Sequence, residues 1–291
     1  QGSFCIGMGS GAVMTQSNLA IAMGRRSGVT QGISSFAIGD SAGVTQGTSS
    51  VALGTSAGAS QSNAAIAVGQ FAGAIQGVSC VAIGASSGAS QSSRAVAIGQ
   101  SAGMSQSLDS IAMGTSSGGS QGSYSIAMGY HAGATQLSEA VAIGQSAGVD
   151  QSIGCVAIGS TAGALQGIGS IAIGTGAGAS QADSTIAIGT SAGLTQGSSS
   201  IAIGLFAGGQ GAENVAMGVH AGQTNQDLRA VAIGYYAGNI NQEKYTVAIG
   251  ENAGKTSQSA GSVAIGENAA ETTQGSTAVA IGSGAGRTRQ G

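Results

Sequence analysis

The sequence predicts an all-β fold, a parallel β-solenoid or β-roll of about 19 short coils of 15–16 residues, on three observations. A four-residue apolar word, VAIG or a close variant, returns 19 times along the 291 residues. Its first residue falls at Ile6, Ile21, Phe36, Val51 and every 15 residues to Ile201, then at Val215, Val231, Val247, Val263 and Val279. The columns between the words are nearly constant, and the composition denies the chain an ordinary core, with 55 glycines, 3% aromatic residues and no tryptophan. Self-similarity at a fixed period of this length marks a repeat architecture, in which each unit buries its apolar side only against its neighbours.

The word itself comes first. Val, Ile or once Phe36 at position zero, Ala at position one except at Gly7, and Ile, Met, Leu or Val at position two alternate large and small with period two, the pattern of a short strand. Glycine at position three is present in all 19 copies and reads as a turn or a close backbone approach. Position six is Ala or Ser, and position seven is Gly except at Val13 and Ala270. A helix is excluded, because each interior glycine would cost about 1 kcal/mol relative to alanine. Without proline or a three-residue period the chain is not collagen.

The glutamine column comes next. Gln stands ten residues after position zero in the 15-residue copies and eleven after in the 16-residue copies, as at Gln242 and Gln258. Twenty glutamines, from Gln1 to Gln290, read as one unbroken column. Its regular part is Gln16, Gln31, Gln46, Gln61, Gln76, Gln91, Gln106, Gln121, Gln136, Gln151, Gln166, Gln181 and Gln196. Stacked in register, their side-chain amides would bond one to the next, as in the glutamine ladders of cross-β structure. The changes of repeat length fall between position seven and this glutamine, which reads as a loop.

Sidedness and assembly follow from the two faces of the word. The Val and Ile side chains are expected to fill a thin core. Alanine then lies on the other face, where an exposed strand would vary and carry Thr, Lys or Glu. Recurrent alanine therefore predicts a tight neighbour, a second copy of the chain in a cyclic homo-oligomer. Residues 1–204 form the regular 15-residue region; residues 205–291 continue it with 14- and 16-residue copies and hold 11 of the 19 charged residues.

Three cysteines, Cys5, Cys80 and Cys155, share the column before position zero, which otherwise holds Ser, Ala, Thr and Asn214. At about 4.8 Å per coil they would lie about 24 Å apart, too far for a bridge within one chain. Two readings stand: a small buried filler, or thiols that meet between chains. Variety concentrates at positions four and five, where Arg25, Arg26, Phe71, Tyr130, His131, Phe206, His220, Tyr235 and Tyr236 are the candidate exposed contact residues. Such edges serve either solubility or recognition of a receptor or glycan.

Catalysis finds no support in this pattern. His131 and His220 are six coils apart, acids are scattered singly, and the 75-residue spacing of the cysteines does not suit zinc. Catalytic, metal and cofactor residues are none, and the chain is not read as an enzyme. A net charge of −3 gives no footprint for nucleic acid, and no apolar run reaches the roughly 20 residues of a membrane helix. An ice-binding solenoid would need a regular threonine ladder, which the scattered threonines do not make. The chain begins and ends inside its own pattern, which reads as part of a longer protein.

The words AVAIG at Ala95–Gly99, SIAIG at Ser170–Gly174 and SVAIG at Ser262–Gly266 resemble the head repeat of YadA-type trimeric autotransporter adhesins. Joined to the AG pair and the glutamine column, the pattern also resembles repeats of viral fibre-like proteins, including those of large DNA viruses. The resemblance spans essentially the whole chain. The AG pair, the glutamine column and the 15- or 16-residue length depart from the commoner 14-residue head repeat. It implies a left-handed β-roll, three chains wide, in an extracellular, cell-surface or virion-surface fibre. The partners implied are the chain itself, as a homotrimer able to extend end to end into a filament, and a host receptor or glycan. A pure filament scaffold is the alternative role.

Overall fold

Each coil opens with a three-residue strand at the repeated word, and within each of two compact units the strand pairs in parallel with the same word of the next coil. The computed structural model describes residues 2–12 and 15–291. Gln1 and Val13, which the sequence places in the glutamine and glycine columns, lie outside the described residues. The chain divides into two compact units, Gln1–Val149 and Asp150–Gly291. The boundary near residue 204 drawn from composition falls inside the second unit.

In the first unit the words form a parallel ladder with a register of one copy, as in Val81↔Val96, Ala82↔Ala97 and Ile83↔Ile98. A second parallel ladder joins the two-residue strands that end in glutamine, as in Ile75↔Ser90 and Gln76↔Gln91. Backbone bonds continue around the turns: Gly84 donates to Val68 O, Ser86 to Gln70 O and Gly88 to Ala102 O, each at 2.8 Å. The register of every column is therefore held by backbone bonding as well as by side chains.

The second unit repeats this scheme and absorbs the changes of length. Ile201 pairs with Val215, fourteen residues on, and Val215 pairs with Val231, sixteen on. In the first two 16-residue coils the extra residue stays within the glutamine strand, Thr224–Gln226 and Ile240–Gln242, whereas in the next two Gln258 and Gln274 pair through isolated bridges. Asn225 and Asn241 take it up at φ 53° and 55°. This is a bulge: one extra residue in left-handed conformation keeps the following glutamine on its original side.

Two glycine columns set the turns. Gly84 lies at φ 125°, and a Cβ there would stand 2.6 Å from the carbonyl oxygen of Gly99. Gly88 lies at φ 56°, where a Cβ would meet Gln91 Oε1 at 2.6 Å and Ala82 Cβ at 2.9 Å. The first glycine lets neighbouring backbones approach, and the second leaves room for the glutamine inside the coil.

The core is the reverse of the sequence expectation. Ala82, Ala97 and Ala112 are wholly buried, while Ile83 is 40% exposed and Val81 half-buried. The alanine face looks into the coil and the Val/Ile face looks out. A coil of 15 residues encloses too little space for two β-branched side chains. It holds Ala at position one, Ala or Ser at position six, a small residue before position zero, and one glutamine. Among the described residues Gln31, Gln226, Gln242, Gln258 and Gln274 are the largest wholly buried side chains.

Candidate functional site

A buried amide must satisfy its hydrogen bonds inside the protein. The glutamines do so along the coil stack and across it. Gln76 Nε2 donates to Gln91 Oε1 at 2.9 Å and to Ile66 O at 3.0 Å; Gln91 Nε2 donates to Gln106 Oε1 at 2.7 Å and to Val81 O at 3.3 Å. In the first unit the chain of amides runs from Gln16 through Gln31, Gln46, Gln61, Gln76, Gln91, Gln106 and Gln121 to Gln136. In the second it runs from Gln151 through Gln166 and Gln181 to Gln196, and again from Gln226 to Gln290. An amide such as Gln76 or Gln91 thus ties the return strand to the word strand and one coil to the next.

Between Gln196 and Gln226 the column is interrupted, contrary to the unbroken reading. Gln210 keeps the backbone place of a column member, because the next residue, Gly211, donates to Gln226 O at 2.8 Å just as Gly77 donates to Gln91 O. Its side chain, however, is exposed, and Gly209 is buried instead. One residue fewer after position seven reverses the pleat, since alternate residues of a strand face opposite sides. Gln226 Oε1 is left buried without a donor. Inserting serine between Gly209 and Gln210 creates Gly-Gly-Ser-Gln, the sequence of 118–121. The insertion is expected to turn the glutamine inward and raise stability by about 1–3 kcal/mol, read as a higher urea midpoint. An unchanged or lower midpoint would show that the missing rung is not what the short coil lacks.

The three cysteines are free. Cys80 Sγ contacts Ser92 O at 2.7 Å and Cys155 Sγ contacts Gly167 O at 2.9 Å, as Ser50 Oγ bonds Ser62 O at 2.7 Å in the same column. Both sulfurs are wholly buried, and burial pushes both thiols above the ordinary cysteine range. An interchain bridge from either would require the coil to open. Cys5, half-buried, contacts Ser17 O at 2.9 Å.

The turns place the variable residues outside. Positions five and thirteen carry non-glycine residues at positive φ, among them Arg26, Phe71 and His131 in the first unit and Phe206, His220 and Tyr236 in the second. Arg25, Arg26, Phe71, Tyr130, His131, Phe206 and Tyr235 are exposed, whereas His220 and Tyr236 are half-buried. Column neighbours pair by charge: Arg25 with Asp40 at 2.7 Å, Arg94 with Asp109 through two bonds, Arg229 with Glu213 and Arg287 with Glu271. Hydrogen bonds from Arg25 and Arg94 hold the Asp40 and Asp109 carboxyls below the usual carboxylate range. The repeat spacing between these charges carries the signal for the pairs, which the reading of single exposed charges missed.

The second unit gathers four of the candidate contacts, Phe206, His220, Tyr235 and Tyr236. The Phe206 and His220 rings stack at 5.4 Å, His220 and Tyr236 stack at 4.7 Å, and Lys255 Nζ lies 5.1 Å from the Tyr236 ring centre. Tyr235 meets Tyr236 edge to face at 4.5 Å, and His220 Nδ1 lies 2.9 Å from Gln223 Oε1. In the first unit Tyr130 and His131 meet edge to face at 4.1 Å. Beside the short coil runs a groove of about 640 Å³ lined by Gln210, Asn225, Asp227, Asn241, Glu243 and Ser259 among others. Among the described residues no group of three or more His, Cys, Asp or Glu could hold a metal ion. Among them no helix is long and apolar enough to cross a membrane.

The outer face of the words is a second feature. Ile66, Ile83, Met113, Met128 and Ile143 are each 36–40% exposed in the first unit, and Ile158, Ile173, Ile188 and Met217 in the second. A continuous apolar stripe of this kind marks an interaction surface.

The family model of the YadA head domain repeat matches the chain in two copies, residues 120–147 and 166–192. No curated protein matches the chain.

Proposed function

We propose that the protein is a homotrimeric, adhesin-like component of an extracellular, cell-surface or virion-surface fibre. The YadA head domain repeats at 120–147 and 166–192 support a surface role. The observation that carries the assembly is the outward Val/Ile/Met stripe, which repeats at every coil and finds no cover within its own coil. Three copies of the chain bury that stripe about a common axis, and the turns with Arg26, Phe71, Tyr130 and Phe206 remain available for contact.

Light scattering on the purified chain checks the assembly. A mass of three chains is expected, and Ile83→Lys with Ile143→Lys is expected to shift the mass toward one chain without loss of β-structure by circular dichroism. A parent that stays monomeric at micromolar concentration removes the trimer. Adhesion is checked by binding of the assembled protein to cells: assemblies that grow into filaments yet bind no cell would leave a scaffold in place of an adhesin.

A further inference from the structure

We infer that the short coil 201–214, with the three coils that follow it, forms a saccharide-binding site. The inference rests on the adhesive reading above and names its ligand class. It starts from the reversed Gln210. The chain leaves Gln226 Oε1 buried and unpartnered, on a residue 1% exposed, where a single extra residue would restore the rung. Local rules are broken in this way chiefly at functional sites. What the departure gains is an amide on the surface, and Gln210 borders both cavities of this region.

On one side of Gln210 is an aromatic wall. His220 covers one face of the Phe206 ring. The same column holds only Ser191 in the preceding coil, and there a pocket of about 100 Å³ opens between Ser191, Leu194, Phe206 and Gln210. On the other side the 640 Å³ groove presents Asn225, Asn241, Asp227 and Glu243 in rows one coil apart. Asp227 Oδ1 accepts from Leu228 N at 2.7 Å and Glu243 Oε2 from Ala260 N at 2.9 Å, so the backbone holds each carboxylate in place. An apolar ring face beside planar amides and carboxylates suits a sugar, whose C–H face packs on the ring and whose neighbouring hydroxyls bond in pairs to amide and carboxylate oxygens.

The same geometry argues against other ligands. No lysine or arginine lines either cavity, which disfavours phosphate, sulfate or sialic acid. An extended peptide would need free backbone groups, yet Asp227 N and Glu243 N already donate to Gln242 O and Gln258 O. Neutral and amino-bearing oligosaccharides remain.

The test uses the whole chain against immobilised neutral and amino-sugar oligosaccharides. Three variants accompany it: Phe206→Ser and Glu243→Ser, which place the residues of Ser191 and Ser259 in their own columns, and the serine insertion between Gly209 and Gln210. The parent is expected to bind at least one saccharide. Each substitution should weaken that binding at least tenfold, and the insertion should abolish it while raising the melting temperature. A parent that binds no saccharide in the set, or an insertion variant that binds as the parent does, overturns the site. Cell binding retained without saccharide binding overturns this inference alone. Saccharide binding by a chain that does not adhere to cells supports the site and removes the adhesive reading.

Discussion

Gly84→Ala is expected to lower stability by about 3 kcal/mol or more. The residue sits at φ 125°, in a region that L-residues with a side chain scarcely enter, and its Cβ would lie 2.6 Å from Gly99 O and 2.7 Å from Gly99 C. Neither atom can yield alone, because each belongs to a backbone bonded to the next coil. The control is Ser86→Gly, two residues on. Ser86 also has positive φ, at 55°, and Gly176 occupies the same column at 63°. There the relief of left-handed strain and the greater freedom of unfolded glycine offset one another to within about 1 kcal/mol. Coils couple to their neighbours, so the loss should be local: hydrogen exchange is expected to accelerate in the coils flanking residue 84 before the rest of the unit. A Gly84→Ala protein with the parent's urea midpoint and exchange pattern would refute the close approach.

Gln91→Leu is the second large effect. It removes the donor to Gln106 Oε1 and the acceptor of Gln76 Nε2, and leaves buried amide atoms unpaired at residues 4% and 2% exposed. The expected cost is about 2–5 kcal/mol, read by chemical unfolding. Gln91→Glu gives the same site a pH dependence. Only the protonated carboxyl can accept from Gln76 and donate to Gln106, and burial disfavours the carboxylate, so the folded-state pKa lies above the unfolded value of about 4.3. The variant's stability is then fully present below the unfolded pKa and is lost as pH rises through the folded pKa. Unfolding at pH 4 and pH 7 checks the sign: a variant equally stable at both, after correction for the parent, would mean that the amide at 91 is not part of a dry ladder.

The interrupted ladder and the outward stripe bear on function in different ways. The stripe repeats in every coil of both units and suits assembly, which needs a uniform surface. The interruption lies at the 14-residue coil and suits recognition, which needs a distinct surface. The charge pairs Arg94–Asp109 and Arg229–Glu213 belong to neither; each joins consecutive coils in one column and helps hold the register already set by the backbone.

Sequence by itself determined the coil, its period and its register. Ala82 opposite Ala97 and Gln76 opposite Gln91 follow from spacing alone, because parallel stacking with a one-coil offset superimposes equal columns. It also determined the two glycine turns and the exposure of the corners at Arg26, Phe71 and His131. Only the tertiary structure decided which side of the word faces inward. Period two separates Val81 and Ile83 from Ala82 without saying which side is the core, and the width of the coil settles it, since alanine and one glutamine fill the space that isoleucine would overfill. Tertiary structure likewise separated Gln210 from its column and kept Gln226 and Gln242 in theirs. A missing residue reverses the pleat, while an added asparagine in left-handed conformation is absorbed as a bulge, and that difference lies in backbone geometry rather than in residue type.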